Sequence, residues 1–109
     1  MDDSPLERKL SSYDPAAPAK KGSLFGFPFD YDDAAVIVIP VPWDVTTSSK
    51  DGTAMAPQKI LEASLQLDFF DPEYGNLWTN GIFMQPIDEE IQSLNQKLRP
   101  RVANYLAQL

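Results

Sequence analysis

The chain has 109 residues, of which 43% are hydrophobic, and this suits one small domain with a modest core. Its 16 acidic and 9 basic residues give a net charge of −7, which argues against binding to the phosphate backbone of nucleic acids. The sequence has no cysteine for disulfides or thiolate metal sites, no apolar run of membrane-spanning length and no secretory signal pattern. We therefore expect a cytoplasmic protein without a nucleic-acid or membrane partner.

The first third of the chain is predicted to have little regular structure. Residues 1–21 are polar and rich in proline and alanine, which predicts an arm that becomes ordered only against another surface. Residues 22–33 are rich in aromatic side chains and broken by glycine and proline. They could form an aromatic recognition patch, but we favour a loop that its aromatic side chains anchor to the core or to another subunit. We assign residues 1–33 to an amino-terminal arm and residues 34–109 to the start of an α/β domain.

A buried strand and a polar loop come next. Residues 34–39 are a continuous apolar run rich in β-branched side chains, which is typical of a strand covered on both faces. Pro40 and Pro42 cannot donate hydrogen bonds to a sheet, so the strand should end there. The loop over residues 43–56 therefore leaves the carboxyl end of a strand, where open α/β sheets bind their ligands.

Two ligand classes suit this loop. It could form one wall of a site for a cationic guanidino group, with Asp44 or Asp51 supplying negative charge. It could instead present backbone N–H groups and the start of the next helix to an anion. In a third interpretation, Asp44 and the hydroxyl groups of the loop only satisfy the loop's own backbone. The pocket-loop residues we single out are Asp44, Thr47, Ser48 and Gly52, and none of them is assigned as catalytic.

A helix and an acidic segment follow the loop. Pro57 suits the first position of a helix, because its missing N–H costs nothing there. The acidic residues Asp68, Asp71 and Glu73 do not have the ordered ligand pattern of a calcium loop, so we interpret them as a solvated acidic loop. We expect the helix to pack in the core through residues at helical spacing. Those positions are Ile60, Ala63, Ser64 and Leu67.

The last part of the chain predicts a short strand and a long helix. The turn pair at residues 80–81 either introduces a strand over 82–84 or joins that strand to residues 77–78 as a hairpin. Asp88 is a plausible N-cap for the helix, and Pro100 should kink it or restart it. We expect one apolar stripe of this helix to face a sheet throughout. The stripe consists of Ile87, Ile91, Leu94, Leu98, Val102, Tyr105 and Leu109.

The strand end, the loop and the helix start also share an ordered set of residues. They are Val41, Pro42, Thr47, Ser48, Gly52, Thr53, Pro57, Ile60, Ala63 and Ser64. Their order and spacing resemble the opening of the ureohydrolase family, which includes arginases, agmatinases and formiminoglutamases. The run over residues 66–71 is similar to the agmatinase-like branch of that family.

The resemblance implies an α/β fold in which this chain is the first βαβ part of a three-layer α/β/α parallel-sheet domain, incomplete on its own. It also implies a parent enzyme that hydrolyses a guanidino or amidino C–N bond with two divalent metal ions, expected to be manganese, and that assembles as a homo-oligomer. The family holds its metals with His and Asp residues of later motifs, whereas this chain has no His and none of those motifs. We therefore expect an amino-terminal fragment with no metal site or cofactor of its own and no activity in isolation.

Two other functions stay open at this point. The chain could be a non-catalytic interaction module that docks through its amphipathic C-terminal helix. It could also be a small α/β domain that binds an anion at the loop before Pro57. An apolar helix at the end of a chain with few strands needs a surface to cover, and this favours the fragment of a larger ureohydrolase domain.

Overall fold

Three α-helices and two β-strands form the regular structure of residues 4–14, 22–67, 69 and 71–109, which the computed structural model of the protein describes. None of the helices among these residues has the length and hydrophobicity needed to cross a bilayer. The helices are α1 (Pro5–Ser12), α2 (Ala56–Ala63) and α3 (Glu89–Ala107), and the strands are β1 (Val36–Val38) and β2 (Ile82–Met84).

The chain forms two compact units. The first unit comprises Met1–Ile39 and Leu61–Gln85, and the second comprises Pro40–Ile60 and Pro86–Leu109. Both strands therefore belong to the first unit, whereas the predicted ligand loop and helix α3 belong to the second. The division into an arm over 1–33 and a domain over 34–109 stays a prediction about the whole protein.

The sheet of the first unit contains two parallel strands. Val36 lies opposite Ile82, and Val38 lies opposite Met84. Because parallel neighbours need a long crossover connection, this pairing makes the described fold α/β. The predicted strand over 82–84 is confirmed, but the hairpin alternative is wrong, since Leu77–Asn80 forms a 3-10 turn that leads into β2.

Strand β1 is shorter and more exposed than the sequence predicts. It ends at Val38, two residues before Pro40, whose missing N–H cannot continue the ladder. Val36 is 52% exposed and Ile39 is 67% exposed. The expectation of a strand covered on both faces is therefore wrong for the described part of this chain, because a sheet of two short strands has few neighbours to cover it.

The core of the first unit is a cluster of aromatic rings around Phe27, which is only 4% exposed. Its ring centroid lies 4.6 to 6.4 Å from those of five other aromatic side chains. The aromatic cluster consists of Tyr13, Phe25, Phe27, Phe29, Phe69 and Trp78. Leu24 and Phe29 are buried as well. This packing supports the interpretation of residues 22–33 as a loop anchored by its aromatic side chains.

Helix α1 lies in the stretch predicted as an irregular arm. Ser4 Oγ accepts a hydrogen bond from Glu7 N, and the Glu7 carboxylate accepts one from Ser4 N. This reciprocal cap satisfies two of the backbone donors that a helix start leaves without partners. Lys9 then donates to the carboxylates of Asp30 and Asp33. The described part of the arm is thus ordered by its own cap and by contact with the aromatic segment, whereas residues 1–3 and 15–21 lie outside the described residues.

The packed face of the second helix differs from the predicted one. Helix α2 begins at Ala56, so Pro57 occupies its second position, and Ile60 and Leu67 are more than half exposed. Ser64 is instead buried, because its Oγ accepts from Phe25 N and donates to the carbonyl of Leu61. The expectation that Ile60, Ala63 and Leu67 pack in the core is wrong for this chain.

Helix α3 starts as predicted. Asp88 Oδ1 accepts hydrogen bonds from Glu90 N and Ile91 N, which caps the helix. The helix then continues through Pro100 to Ala107, so it is not restarted at the proline.

The apolar stripe of helix α3 is not covered along its length. Leu94 is 44% exposed and Tyr105 is 63% exposed, whereas the polar residue Asn95 is buried. The expectation of one apolar face packed throughout is therefore wrong within the second unit. The buried position on this helix is set by polar contacts with the loop, which are described next.

Candidate functional site

The loop over residues 43–56 is folded around the side chain of Asp44, which is 4% exposed. Asp44 Oδ2 accepts hydrogen bonds from Gly52 N at 2.7 Å and from Ala54 N at 3.1 Å. Asp44 Oδ1 accepts from Asn95 Nδ2 at 3.0 Å. The Asp44 backbone N–H donates to Asn95 Oδ1 at 2.7 Å, so the two residues are joined by a pair of hydrogen bonds.

Arg99 holds the same loop from one helical turn further along α3. Its Nη1 donates to three backbone carbonyls of the loop, those of Asp44 at 3.2 Å, Val45 at 3.1 Å and Thr47 at 2.7 Å. A guanidinium group suits this role because it stays protonated and offers several donors in a fixed geometry. We refer to Asp44, Asn95, Arg99 and the amides of Gly52 and Ala54 as the Asp44 network.

The other predicted pocket residues have different environments. Thr47 Oγ1 lies 2.9 Å from the carbonyl oxygen of Asp44 and 3.1 Å from that of Lys50, so its hydroxyl is used within the loop. Ser48 is exposed to solvent. Gly52 has φ of +127°, a conformation that disfavours any side chain, and this places its N–H toward Asp44.

The pKa of the Asp44 carboxyl lies below its usual value. The hydrogen bond from Gly52 N–H is the main cause, and burial opposes it. The hydrogen bonds from Asn95 and Ala54 and the positive charge of Arg99 add to the lowering. Asp44 is therefore an anion whose two oxygens are already occupied by donors. A general base needs a pKa near the working pH, so this carboxylate is suited to holding the loop and not to proton transfer.

A cavity of about 260 Å³ lies within the second unit, between the loop and helix α3. Asp44 and Gly52 contribute to its wall, whereas Thr47 and Ser48 do not. Its polar lining also includes Asp51, which is exposed and is the loop carboxylate left open to solvent. The remaining lining residues are Ala54, Met55, Gln92, Asn95, Gln96, Arg99 and Pro100.

The two ligand interpretations of the loop fare differently in this geometry. The amides of Gly52 and Ala54, at the entrance to helix α2, already donate to the Asp44 carboxylate. Asp44 thus occupies the position that an external anion would need, which disfavours the anion site before Pro57. The interpretation in which Asp44 satisfies the backbone of the loop is supported. Any negative charge offered to a cationic group would have to come from Asp51.

The acidic segment after α2 has a structural role where it is described. Asp71 Oδ1 accepts from the backbone N–H groups of Glu73 and Tyr74, which closes a tight turn. Asp68, the first residue of the predicted acidic set, lies outside the described residues. Within the described ranges, no three His, Cys, Asp or Glu side chains are grouped as metal ligands would be.

Asn95 and Arg99 are the residues of the candidate site that sequence reasoning missed. They lie four positions apart, so they share one face of helix α3. Their contacts are with residues about 51 to 55 positions earlier in the chain. No local pattern marks them, because the apolar stripe of the same helix gives the stronger periodic signal.

The α/β fold and the loop at the end of a parallel strand agree with the comparison against known protein families. The family model described as Arginase family matches residues 34–107, which contain β1, the loop, β2 and α3. The chain therefore belongs to the arginase family. The resemblance to ureohydrolases that was drawn from the loop residues is confirmed.

A curated relative lies in the agmatinase-like branch. The chain is 49% identical over 45 residues to the N(1)-aminopropylagmatine ureohydrolase of Synechocystis sp.. The aligned segment covers 41% of this chain and 15% of that enzyme, so the chain spans a small part of the relative's length. No solved structure gave a significant match.

Proposed function

We propose that this chain is the amino-terminal portion of a ureohydrolase that hydrolyses a guanidino or amidino C–N bond. The observation that carries the proposal is the family match over residues 34–107, which includes both the strand and the loop at its carboxyl end. In this proposal the chain is the first βαβ part of a three-layer α/β/α domain, and the other layers come from sequence outside it.

The pocket loop forms part of the substrate site in this proposal. Asp51 and Ser48 are among its exposed polar side chains, and Asp51 supplies negative charge toward the cationic guanidino group. Asp44, Thr47 and Gly52 keep the loop in shape through the hydrogen bonds described above. The loop therefore binds and orients the substrate and performs no bond cleavage itself.

The metal chemistry of the proposed parent lies outside this chain. The complete domain binds two divalent ions, which we expect to be manganese, and these supply an activated water. This chain does not fit such a centre, because it contains no His and its described residues have no grouped set of ligands. The isolated chain is accordingly inactive.

Exposed apolar side chains indicate where partners would cover the chain. In a complete domain they would pack against the remaining sheet and helices, and the arm would pack against a second subunit of a homo-oligomer. Large apolar side chains exposed on the described strands and helices include Val36, Ile60, Leu94 and Tyr105.

The test is an assay of the protein as its gene encodes it. Purified protein is incubated with added manganese and with agmatine, arginine, guanidinobutyrate, formiminoglutamate or guanidine in turn, and released urea, ammonia or formamide is measured. We expect one substrate to be hydrolysed, activity to be lost on chelation, and no product from the 109-residue chain alone. A native mass of 12.2 kDa together with no product from any substrate would overturn the proposal.

A non-catalytic interaction module is the second candidate. It is favoured by the exposed apolar positions Leu94, Tyr105 and Leu109 of the C-terminal segment, which a partner protein could cover. A 12.2 kDa native protein that forms a stable stoichiometric complex through this segment would support it. A Leu94→Ser and Tyr105→Ser double variant should then abolish the complex.

A further inference from the structure

Three backbone carbonyls of the pocket loop converge on one nitrogen of Arg99. The oxygens of Asp44, Val45 and Thr47 lie 2.7 to 3.2 Å from Arg99 Nη1. A positively charged donor stabilises the negative ends of the three peptide dipoles that face it. This turn of the loop therefore depends on the guanidinium group of a residue in α3.

Asn95 connects helix α3 to the far end of the loop through hydrogen bonds with Asp44. It binds Asp44 through both its amide oxygen and its amide nitrogen. The other carboxylate oxygen of Asp44 then accepts from Gly52 N and Ala54 N. A continuous chain of hydrogen bonds thus connects the surface of helix α3 with the loop residues on both sides of Ser48 and Asp51.

The exposed side chains of the loop are not themselves part of these contacts. Ser48, Lys50 and Asp51 are exposed, whereas Asp44 and Asn95, which hold the loop, are buried. Recognition and support are therefore carried by different residues of the same short segment. A change in the supporting residues would move the exposed ones without removing any of them.

We propose that Asn95 and Arg99 are positioning residues for the substrate loop, so that helix α3 sets the geometry with which residues 47–52 meet the substrate. The proposal rests on the proposed function, in which this loop contacts a guanidino substrate. It assigns to helix α3 a part in substrate affinity, although neither Asn95 nor Arg99 is required to touch the substrate.

Amide hydrogen exchange tests the structural half of the proposal in the protein as its gene encodes it. Arg99→Met keeps most of the stem and removes the charge, and it should speed exchange at Gly52 and Ala54 by about tenfold or more. Arg101→Met is the matched control, because Arg101 is exposed on the same helix, and it should change these rates less than twofold. Unchanged exchange at both amides in Arg99→Met would overturn the proposal.

The conservative variant distinguishes local loosening of the loop from general unfolding. Arg99→Lys keeps the positive charge on a shorter side chain with fewer hydrogen-bond donors and should retain part of the protection at Gly52 and Ala54. Amides in the middle of helix α3 should exchange at unchanged rates in both Arg99 variants. If Arg99→Met loses protection from exchange throughout the helix, it has unfolded, and the exchange rates of Arg99→Lys then decide whether the cation supports the loop. Arg99→Lys with the same loop exchange as Arg99→Met would refute a role for the cation.

Steady-state kinetics test the functional half. For the guanidino substrate that the protein hydrolyses, Arg99→Met should raise KM about tenfold with kcat changed less than threefold, because the loop binds substrate and does not cleave it. Arg101→Met should leave both constants unchanged. A loosened loop with an unchanged KM would limit Arg99 to supporting the fold and would overturn the positioning role. If the unmodified protein hydrolyses no guanidino compound, the proposed function and the positioning role both fail, while the exchange rates still uphold or refute the support of the loop by Arg99.

Discussion

The aromatic cluster of the first unit and the Asp44 network of the second stabilise their regions by opposite means. The cluster joins six rings that gain from leaving water and whose packing is less directional than a hydrogen bond. The network joins a buried carboxylate, an amide and a guanidinium group through hydrogen bonds between specific atoms. Loss of one ring leaves a cavity, whereas loss of one network atom leaves buried polar groups without partners.

This difference has a bearing on function. Rings tolerate small shifts, so the cluster suits a region whose task is to hold α1 and the aromatic segment together. A polar network fixes directions to within the narrow range of a hydrogen bond, which suits a loop that must present side chains to a ligand. The contrast supports the assignment of the loop, and not the aromatic segment, as the candidate site.

Replacement of the central ring should have the largest effect. Phe27→Ala should lower the free energy of unfolding by about 4 kcal/mol, because a buried ring with five aromatic neighbours is removed. Urea denaturation followed by circular dichroism gives this value. Tyr74→Ala is the control, since Tyr74 is 61% exposed, and it should cost less than about 0.5 kcal/mol. Equal losses in the two variants would show that the cluster is not the core of its unit.

Removal of the Asp44 carboxylate should have the second largest effect on stability. Asp44→Ala should lower the free energy of unfolding by about 3 kcal/mol, because three donors lose their acceptor and two of these hydrogen bonds are buried. Asp44→Asn should cost a similar amount, since the new amide turns an N–H group toward other donors. Asp51→Ala removes the same charge from an exposed position and serves as the control in the same denaturation series. A loss in Asp44→Ala no larger than that in Asp51→Ala would remove the distinction between the two regions.

Substitution of Gly81, which lies between the aromatic cluster and the sheet, should have the third largest effect. Gly81 has φ of +88°, and a Cβ there would lie 3.0 Å from Ala34 Cα and 3.5 Å from Phe29 Cδ1. Gly75 has φ of +68° with open space around its Cβ position. Gly81→Ala should therefore lower the free energy of unfolding by about 2 kcal/mol and Gly75→Ala by about 1 kcal/mol. Thermal melts of both variants measure the difference, and equal values would mean that the sheet absorbs the extra methyl group.

A fall in pH should have the smallest effect on the free energy of unfolding, and it should affect the Asp44 network and not the aromatic cluster. The folded state lowers the pKa of Asp44 below its unfolded value of about 4, so its stabilisation is fully present above about pH 4. That stabilisation is lost as the pH falls through the lowered folded pKa. The free energy of unfolding should therefore fall less steeply below pH 4 in Asp44→Asn than in the unmodified chain.

The other groups provide the comparison for this pH series. Phe27→Ala keeps the carboxylate and should run parallel to the unmodified chain. Asp33, whose pKa is lowered mainly by its hydrogen bond with Lys9, adds the same acid dependence to every variant. Parallel curves for Asp44→Asn and the unmodified chain would mean that the Asp44 network does not contribute to the acid dependence.

The elements that follow from local chemistry were predictable. Asp88 before two glutamates marks a helix start, and the structure places the cap there. The strand at 82–84 follows its turn pair as expected. The cap of Ser4 and Glu7 has an equally local signal, with Ser and Glu three residues apart, but the proline-rich composition of the arm outweighed it.

The part of the site that depends on distant contacts was not predictable. The position of the loop and the candidacy of Asp44 followed from the strand end before it. The direction of the Asp44 side chain did not, because it is set by Asn95 on a helix 51 residues later. Ile39 and Leu94 are exposed because no other part of the described chain covers them. Apolar periodicity predicts which face of an element is apolar, but it does not predict whether another element covers that face.

The sequence distance between Asp44 and Asn95 has a consequence for biosynthesis. A ribosome that adds about 5–20 residues per second produces Asn95 roughly 3–10 s after Asp44, since the two are 51 residues apart. Until α3 has left the exit tunnel, the Asp44 side chain lacks its hydrogen bond from Asn95 and the loop lacks its contacts with Arg99. We therefore expect the loop to be the last part of the second unit to mature, and nascent chains arrested before Asn95 should exchange the amides of Gly52 and Ala54 as fast as an unfolded peptide does. The loop therefore cannot reach its final conformation before helix α3 has been synthesised.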